Sequence, residues 1–170
     1  MTPGFHAPDD VQAVKCELAG EVLHSCGTLR LRVMGWSMLP AVWPGDTLFV
    51  ESASTAAVTE GDIILFAKER RFFVHRIVKR LEQSNFLSRG DAMRKPDPVV
   101  HSEELLGKVC SIVRNGKRLA VRRNRGVFER ATAGLVAHSP LAARLLVRVG
   151  RRRRGSSFSA SKNQEACCLS

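Results

Sequence analysis

Three short stretches of the chain carry residue types that together could perform nucleophilic catalysis. Ser37 lies in GWSMLP, and a Pro-Gly-Asp turn follows it closely. His75 lies in RFFVHRIVKR, while Asp91 and Asp97 lie in SRGDAMRKPD. A serine hydroxyl is a weak nucleophile at neutral pH, but a neutral histidine can take its proton while a carboxylate orients the imidazole. The residue types therefore predict a serine nucleophile with a histidine base, provided that the fold brings the three stretches together.

The elements that must position these residues are short strands with turns between them. LRLRV alternates apolar and charged residues, which is typical of a half-buried strand. Further apolar runs follow: DTLFVE, DIILFAK, RFFVHRIVKR, NFLSRG and LLGKVCSIV. Asp46 and Asp62 each follow a glycine at the start of a run, so we interpret them as turn residues rather than catalytic acids. Short strands at this spacing predict a mainly β protein built on a compact, coiled antiparallel sheet.

The two ends of the chain differ from this β-rich region. Apolar positions over residues 11–23 recur at helical spacing, which predicts a short N-terminal helix. Residues 114–154 contain thirteen Lys or Arg and one acidic residue, so this segment carries +12 and the rest of the chain sums to −1. At 170 residues the chain has room for one domain with appended segments. We expect four regions: an N-terminal segment with the helix (1–27), the β domain (28–114), a basic, partly helical extension (115–154) and a disordered tail (155–170).

Composition restricts the class of protein and its partners. The start of the chain does not resemble a secretory signal, and no run of 18 or more apolar residues predicts a transmembrane helix. The five cysteines are an odd number without metal-ligand spacing, so we expect a reduced, cytoplasmic protein. A serine-histidine reaction needs no metal or other cofactor, and we expect none. The run Arg151–Arg154 is either a solvated tail or a contact with an anionic membrane surface. No recognition motif accompanies these arginines, so nucleic acid is not an expected partner.

Four stretches, taken in order, resemble the motifs of the signal peptidase superfamily, which also contains the self-cleaving SOS repressors. They are GWSMLPAVWPGDTLFV, GDIILFAKERRFFVHRIVKR, FLSRGDAMRKPD and LLGKVCSIV. The resemblance covers about residues 28–114 and implies a β-rich serine endopeptidase domain. Most bacterial members have a lysine base, but this chain has His75 before Arg76 at that position. It therefore looks closest to the Ser-His branch found in the endoplasmic reticulum, archaea and some spore-forming bacteria.

The resemblance also implies roles for individual residues. By this likeness Ser37 is the nucleophile, His75 is the base and Asp97 is the carboxylate that orients the base. Asp91, the aspartate of the Gly-Asp motif, supports the site either in the chemistry or in the structure. The implied substrate is a peptide or protein, such as a signal or leader peptide with a small residue before the cut.

The residues around the nucleophile indicate how substrate would be held. Signal peptidases usually have a serine two residues before the nucleophile, whereas this chain has Gly35, as the repressors do. We therefore assign the oxyanion hole to the backbone N–H groups of Ser37 and Trp36. Gly35, Met38 and Pro40 are expected to line the substrate cleft, although Met38 could equally be a core residue.

Two other functions remain open from the sequence. Repressor-type relatives cleave themselves at an Ala-Gly bond, and Ala19-Gly20 lies upstream of Ser37. Only 16 residues separate Gly20 from Ser37, which is a short tether for folding back into the site. The other possibility is a non-catalytic binding protein that keeps the fold and docks through its basic extension.

Overall fold

The computed structural model describes the backbone of residues 8–123 and the side chains from residue 14 onward. This part of the chain contains one α-helix and seven strands. They are α1 (Pro8–Cys26), β1 (Thr28–Arg32), β2 (Thr47–Ser52), β3 (Ile63–Lys68), β4 (Arg71–Arg80), β5 (Phe86–Arg89), β6 (Leu105–Arg114) and β7 (Lys117–Ala120). The six predicted strands all form, close to their predicted positions. The helix is longer than the predicted 11–23 at both ends.

All strands join one antiparallel sheet in the order β1-β2-β6-β3-β4-β5, with β7 beside β6. Register shifts interrupt three of the pairings, and such irregularities bend and twist a sheet. The prediction of a mainly β fold with an N-terminal helix is confirmed. Strand β7 lies in the segment assigned to the basic extension and was not predicted. The remainder of that extension, the Arg151–Arg154 run and the tail at 155–170 lie outside the described residues.

Strand β3 is buried on both faces, which explains its continuous apolar sequence IILFA. Ile63 and Leu65 belong to one core cluster, whereas Ile64 and Phe66 belong to a second cluster on the opposite face. Strands β3 and β4 are joined by the two residues Glu69 and Arg70, both with positive φ. This is the backbone conformation of a tight hairpin turn, so the register of β4, which carries His75, is fixed locally.

Helix α1 packs across the sheet next to β1 and β4. Ala19 and Leu23 are buried beneath it, while Val14 and Leu18 are exposed. The helix ends at Cys26 and is followed by Gly27, which has a φ of +69° and donates its N–H to the Leu23 carbonyl oxygen at 3.0 Å. Glycine adopts this conformation without steric cost, which makes it a common helix terminator. No helix within residues 8–123 is both long and apolar enough to span a membrane.

Asp62 is a turn residue, as predicted, and it also anchors ion pairs. Its carboxylate accepts hydrogen bonds from the Thr59 N–H at 3.0 Å and from Arg123 Nε at 2.7 Å. It lies 2.9 Å from the Lys108 ammonium. Burial by itself raises the pKa of this carboxyl, but the hydrogen bonds from Lys108, Thr59 and Arg123 outweigh burial and hold the pKa below its ordinary value.

Candidate active site

Ser37 lies in the loop between β1 and β2, and the ends of this loop are closed by backbone hydrogen bonds. The Gly45 N–H donates to the Val33 carbonyl oxygen at 2.7 Å, and the Val33 N–H donates to the Asp46 carbonyl oxygen at 2.9 Å. The side chains that follow Ser37 anchor the loop in the core, since three are almost fully buried: Met38, Leu39 and Val42. The hydroxyl is therefore carried by a fixed backbone rather than by a loose connection.

The Pro-Gly-Asp turn fixes the far side of this loop through Asp46. This carboxylate, fully buried, accepts from the Trp43 N–H and from Arg114 Nη2, each at 2.7 Å. Arg114 also donates to the Ala41 carbonyl oxygen at 3.0 Å, and the Trp43 indole donates to the Pro40 carbonyl oxygen at 2.8 Å. Asp46 is thus a turn residue that also ties the loop to β6.

His75 lies in β4 with its ring between Ser37 and Asp97. Its Nε2 is 3.0 Å from Ser37 Oγ, and its Nδ1 is 2.7 Å from Asp97 Oδ2. The imidazole is 6% exposed and packs near the rings of Phe66 and Phe73. A proton on Nδ1 donated to the carboxylate leaves Nε2 free to accept the serine proton, which is the arrangement that a general base requires.

Asp97 is positioned by the neighbouring strand β5. Its N–H donates to the Ser88 carbonyl oxygen at 2.8 Å, and Ser88 Oγ donates to Asp97 Oδ2 at 2.6 Å. Ser88 is fully buried, so this hydroxyl and the His75 ring are the hydrogen-bond partners that fix the orientation of the carboxylate. Sequence analysis did not identify Ser88. A signal was present, because in FLSR the alternation places Ser88 on the same inward face as buried Phe86.

Asp91 forms a buried ion pair with Arg76, the residue that follows His75 in β4. Arg76 Nε donates to Asp91 Oδ1 at 3.0 Å, and Arg76 Nη2 donates to Oδ2 at 2.8 Å. The guanidinium also donates through Nη1 to the carbonyl oxygens of Gly61 and Arg122, each at 2.7 Å. These contacts tie Asp91 to Arg76 of β4, and whether Asp91 acts in the chemistry or in the structure stays a prediction, tested below.

Gly90 lies where the loop after β5 approaches the nucleophile. A Cβ at this position would lie 2.7 Å from the Ser37 carbonyl oxygen and 3.1 Å from His75 Nε2. The Ala92 N–H donates to the same Ser37 carbonyl oxygen at 2.8 Å. The Gly-Asp motif therefore joins two functions: Gly90 permits close approach to Ser37, and Asp91 holds the arginine beside His75.

A cleft of about 980 Å³ opens beside Ser37 and His75. Its walls come from α1, β1, the loop after β1 and the first half of β4. Gly35 and Met38 line this cleft, although Met38 is also a buried member of the core. Pro40 was expected here, but it lines a separate cavity of about 320 Å³ together with Ala41 and Arg114.

The backbone around Ser37 also has unused hydrogen-bond donors. Within the described part of the chain, the N–H groups of Ser37 and Trp36 donate to no acceptor. Trp36 itself is 45% exposed. Among the same residues, no group of three His, Cys, Asp or Glu side chains is placed to hold a metal ion.

The family comparison supports the resemblance seen in the sequence. Residues 7–110 match the model of the family described as Peptidase S24-like. A comparison with curated proteins gave no match. The family match includes α1, the first five strands and most of β6, with Ser37, His75 and Asp97 inside it. Because it covers more than half of the 170-residue chain, the protein belongs to the Peptidase S24-like family.

Proposed function

We propose that the protein is a serine endopeptidase of the signal peptidase type that uses Ser37, His75 and Asp97. Membership of the Peptidase S24-like family supports a serine peptidase-type or self-cleaving-repressor-like function. The observation that carries the finer proposal is the continuous chain of close contacts, 3.0 Å from Ser37 Oγ to His75 Nε2 and 2.7 Å from His75 Nδ1 to Asp97 Oδ2.

In the proposed reaction Ser37 Oγ attacks the carbonyl carbon of the scissile peptide bond as His75 Nε2 takes the hydroxyl proton. Asp97 holds the ring in the required tautomer and stabilises the imidazolium that forms. The N–H groups of Ser37 and Trp36 stabilise the oxyanion of the tetrahedral intermediate. His75 then gives its proton to the leaving amine. Water, deprotonated by His75, releases the acyl group from Ser37.

Two unpaired strand edges support binding of an extended peptide in the cleft. Among the strands of residues 8–123, β1 pairs with β2 alone. Residues 71–75 of β4 pair with β3, whereas the pairing of β4 with β5 begins at Arg76. Each strand therefore presents one free edge among the described residues, and both strands line the cleft. A peptide can add to such an edge through main-chain hydrogen bonds, with side chains entering the cleft alternately. A small residue before the cut is part of this proposal.

The test is cleavage of a peptide library with Ala-x-Ala segments by the wild-type protein and by Ser37→Ala and His75→Ala. We expect specific cleavage by the wild type and a loss of at least 1,000-fold in kcat/KM for each variant. Ser52→Ala and His24→Ala are matched controls, because both residues are exposed and lie outside the cleft. Equal activity of the wild type and the Ser37 variant would contradict the proposal.

Self-processing is a second candidate, because Ala19 lines the same cleft as Ser37 and His75. The Ala19-Gly20 bond lies inside α1, so its carbonyl is engaged in helical hydrogen bonding and α1 would have to unwind before cleavage. Incubation of purified protein followed by gel electrophoresis and mass spectrometry distinguishes self-processing from cleavage of other proteins. A break after Ala19 that is absent in Ser37→Ala supports self-processing, whereas an intact chain that cleaves added peptides supports cleavage of other proteins.

A further inference from the structure

The charged residues that line the cleft all have the same sign. Lys15, Arg32 and Arg71 line it, and no Asp or Glu does. The three come from different elements, namely α1, the end of β1 and the start of β4. All are exposed, and within the described residues none of them forms an ion pair. The cleft therefore carries positive charge that no described side chain neutralises through an ion pair.

The secondary structure places the side chains of Arg71 and Lys15 toward the cleft. Arg71 lies four residues before His75 in β4, so alternation places both side chains on the same face, about 13 Å apart along the strand. Lys15 lies three and four residues before Leu18 and Ala19 in α1, which places it on the helix face that borders the cleft. Glu17 and Glu21 of α1 are exposed but do not line the cleft.

The uncharged side chains that line the cleft are largely apolar, and some of them are exposed to solvent. Met34 is 83% exposed and Leu18 is 57% exposed, and both line the cleft. Around them lie further apolar side chains, among them Val22, Leu29, Leu31 and Phe72. An occupant that covers these groups gains hydrophobic contacts, and one that also carries negative charge pairs with the cations.

We propose that the cleft selects acidic peptides, in which apolar side chains fill the cleft and a Glu or Asp lies about four residues from the cleaved bond. This inference rests on the peptidase function proposed above. The distance of four residues follows from the separation of Arg71 and His75, since an added strand has the same rise per residue as β4.

The test uses peptides of one cleavable sequence with Glu, Gln or Lys scanned over two to six positions on each side of the cut. At low salt we expect Glu near the fourth position on one side to raise kcat/KM about threefold over Gln and about tenfold over Lys, in line with exposed charge pairs. In 0.5 M NaCl the contrast shrinks, because the ions screen exposed charges. Equal rates for the three peptides at every position would overturn the proposal.

A charge-reversed variant shows whether the cleft is responsible rather than the overall net charge of +11. The double variant Lys15→Glu/Arg71→Glu is expected to prefer the Lys peptide over the Glu peptide. Its matched control is Arg30→Glu/Lys117→Glu, which changes the net charge equally at residues that do not line the cleft. The proposal would be contradicted if Lys15→Glu/Arg71→Glu kept the preference for the Glu peptide. It would also be contradicted if both double variants lost that preference equally.

A binding measurement separates this inference from the proposed function. Fluorescence anisotropy with full-length Ser37→Ala and the labelled Glu and Lys peptides requires no cleavage. Tighter binding of the Glu peptide, lost on adding Lys15→Glu/Arg71→Glu, supports the acidic preference even if no peptide is hydrolysed. Equal binding of both peptides overturns it, even if Ser37-dependent hydrolysis is found.

Discussion

Replacing Asp91 by asparagine distinguishes structural support of the site from participation in the chemistry. Asp91 and Arg76 are 3% and 4% exposed and share two hydrogen bonds. The variant leaves a buried guanidinium without the carboxylate that faces it, and breaking such a pair costs about 3–5 kcal/mol. We expect the lower end, about 3 kcal/mol, since Arg76 Nη1 keeps its carbonyl acceptors.

This loss is large against the stability of about 5–15 kcal/mol typical of a domain. Urea unfolding monitored by circular dichroism measures it, and the midpoint is expected to fall by about 2 M for a slope near 1.5 kcal/mol/M. Peptide cleavage per folded molecule, measured at urea concentrations well below the midpoint, is expected to stay within about threefold of wild type.

A double variant separates loss of the ion pair from burial of an unpaired charge. Removing only one partner of the Arg76–Asp91 pair leaves a buried charge unpaired, so Arg76→Leu/Asp91→Leu is expected to be more stable than Asp91→Asn.

Asp97→Asn is the matched comparison, because it alters the carboxylate that contacts His75. We expect it to lower kcat by about 10⁴, with a midpoint closer to wild type than that of Asp91→Asn because Asp97 is only partly buried. The opposite pattern, an unchanged midpoint with hydrolysis abolished in Asp91→Asn, would refute the structural role of Asp91.

Three further predictions concern single side chains. Gly90→Ala places a Cβ 2.7 Å from the Ser37 carbonyl oxygen, so we expect kcat to fall at least tenfold, and a kcat equal to wild type in a steady-state assay would contradict this. Ser88→Ala removes the hydroxyl that donates to Asp97, so we expect about a tenfold loss in kcat with little change in KM, whereas a change in KM alone would speak against a positioning role. The folded-state pKa of Asp62 is lowered, so its contribution to the free energy of unfolding is present above pH 4 and is lost as pH falls through the folded pKa. Asp62→Asn should therefore reduce the slope of stability against pH below pH 4, and identical acid-unfolding curves would contradict the assignment.

Much of the fold could be predicted because each strand carries its own signal. The alternation in β1 and the continuous apolar run in β3 reflect burial on one face and on both faces, respectively. The proximity of Ser37, His75 and Asp97 could be anticipated from ordered motifs, and the structure brings these three side chains together. Strand β7 gave no such signal, since all four of its residues are exposed and it forms by pairing with β6.

The supporting contacts could not be predicted, because they depend on how the strands pair. The Arg76–Asp91 ion pair depends on the path of the loop after β5, and so does the Ser88–Asp97 hydrogen bond. The ion pair also needs the register of β4 against β5, which includes a shift between Ile77 and Lys79. Local sequence does not fix such a shift. The position of Pro40 in a separate cavity beside Arg114 likewise depends on the tertiary contacts of its loop, among them the hydrogen bond from Arg114 to the Ala41 carbonyl oxygen.

The most direct test of the central claim is covalent modification of the full-length protein by a serine-directed acylating probe, with the modified residue located by mass spectrometry. If Ser37 is a nucleophile activated by His75 and Asp97, the probe attaches to Ser37 in the wild type. Labelling should fall steeply in His75→Ala and Asp97→Asn, while the exposed serine at position 52 remains unlabelled. Folded wild-type protein with no label on Ser37, or with labelling unchanged in His75→Ala, would contradict the account.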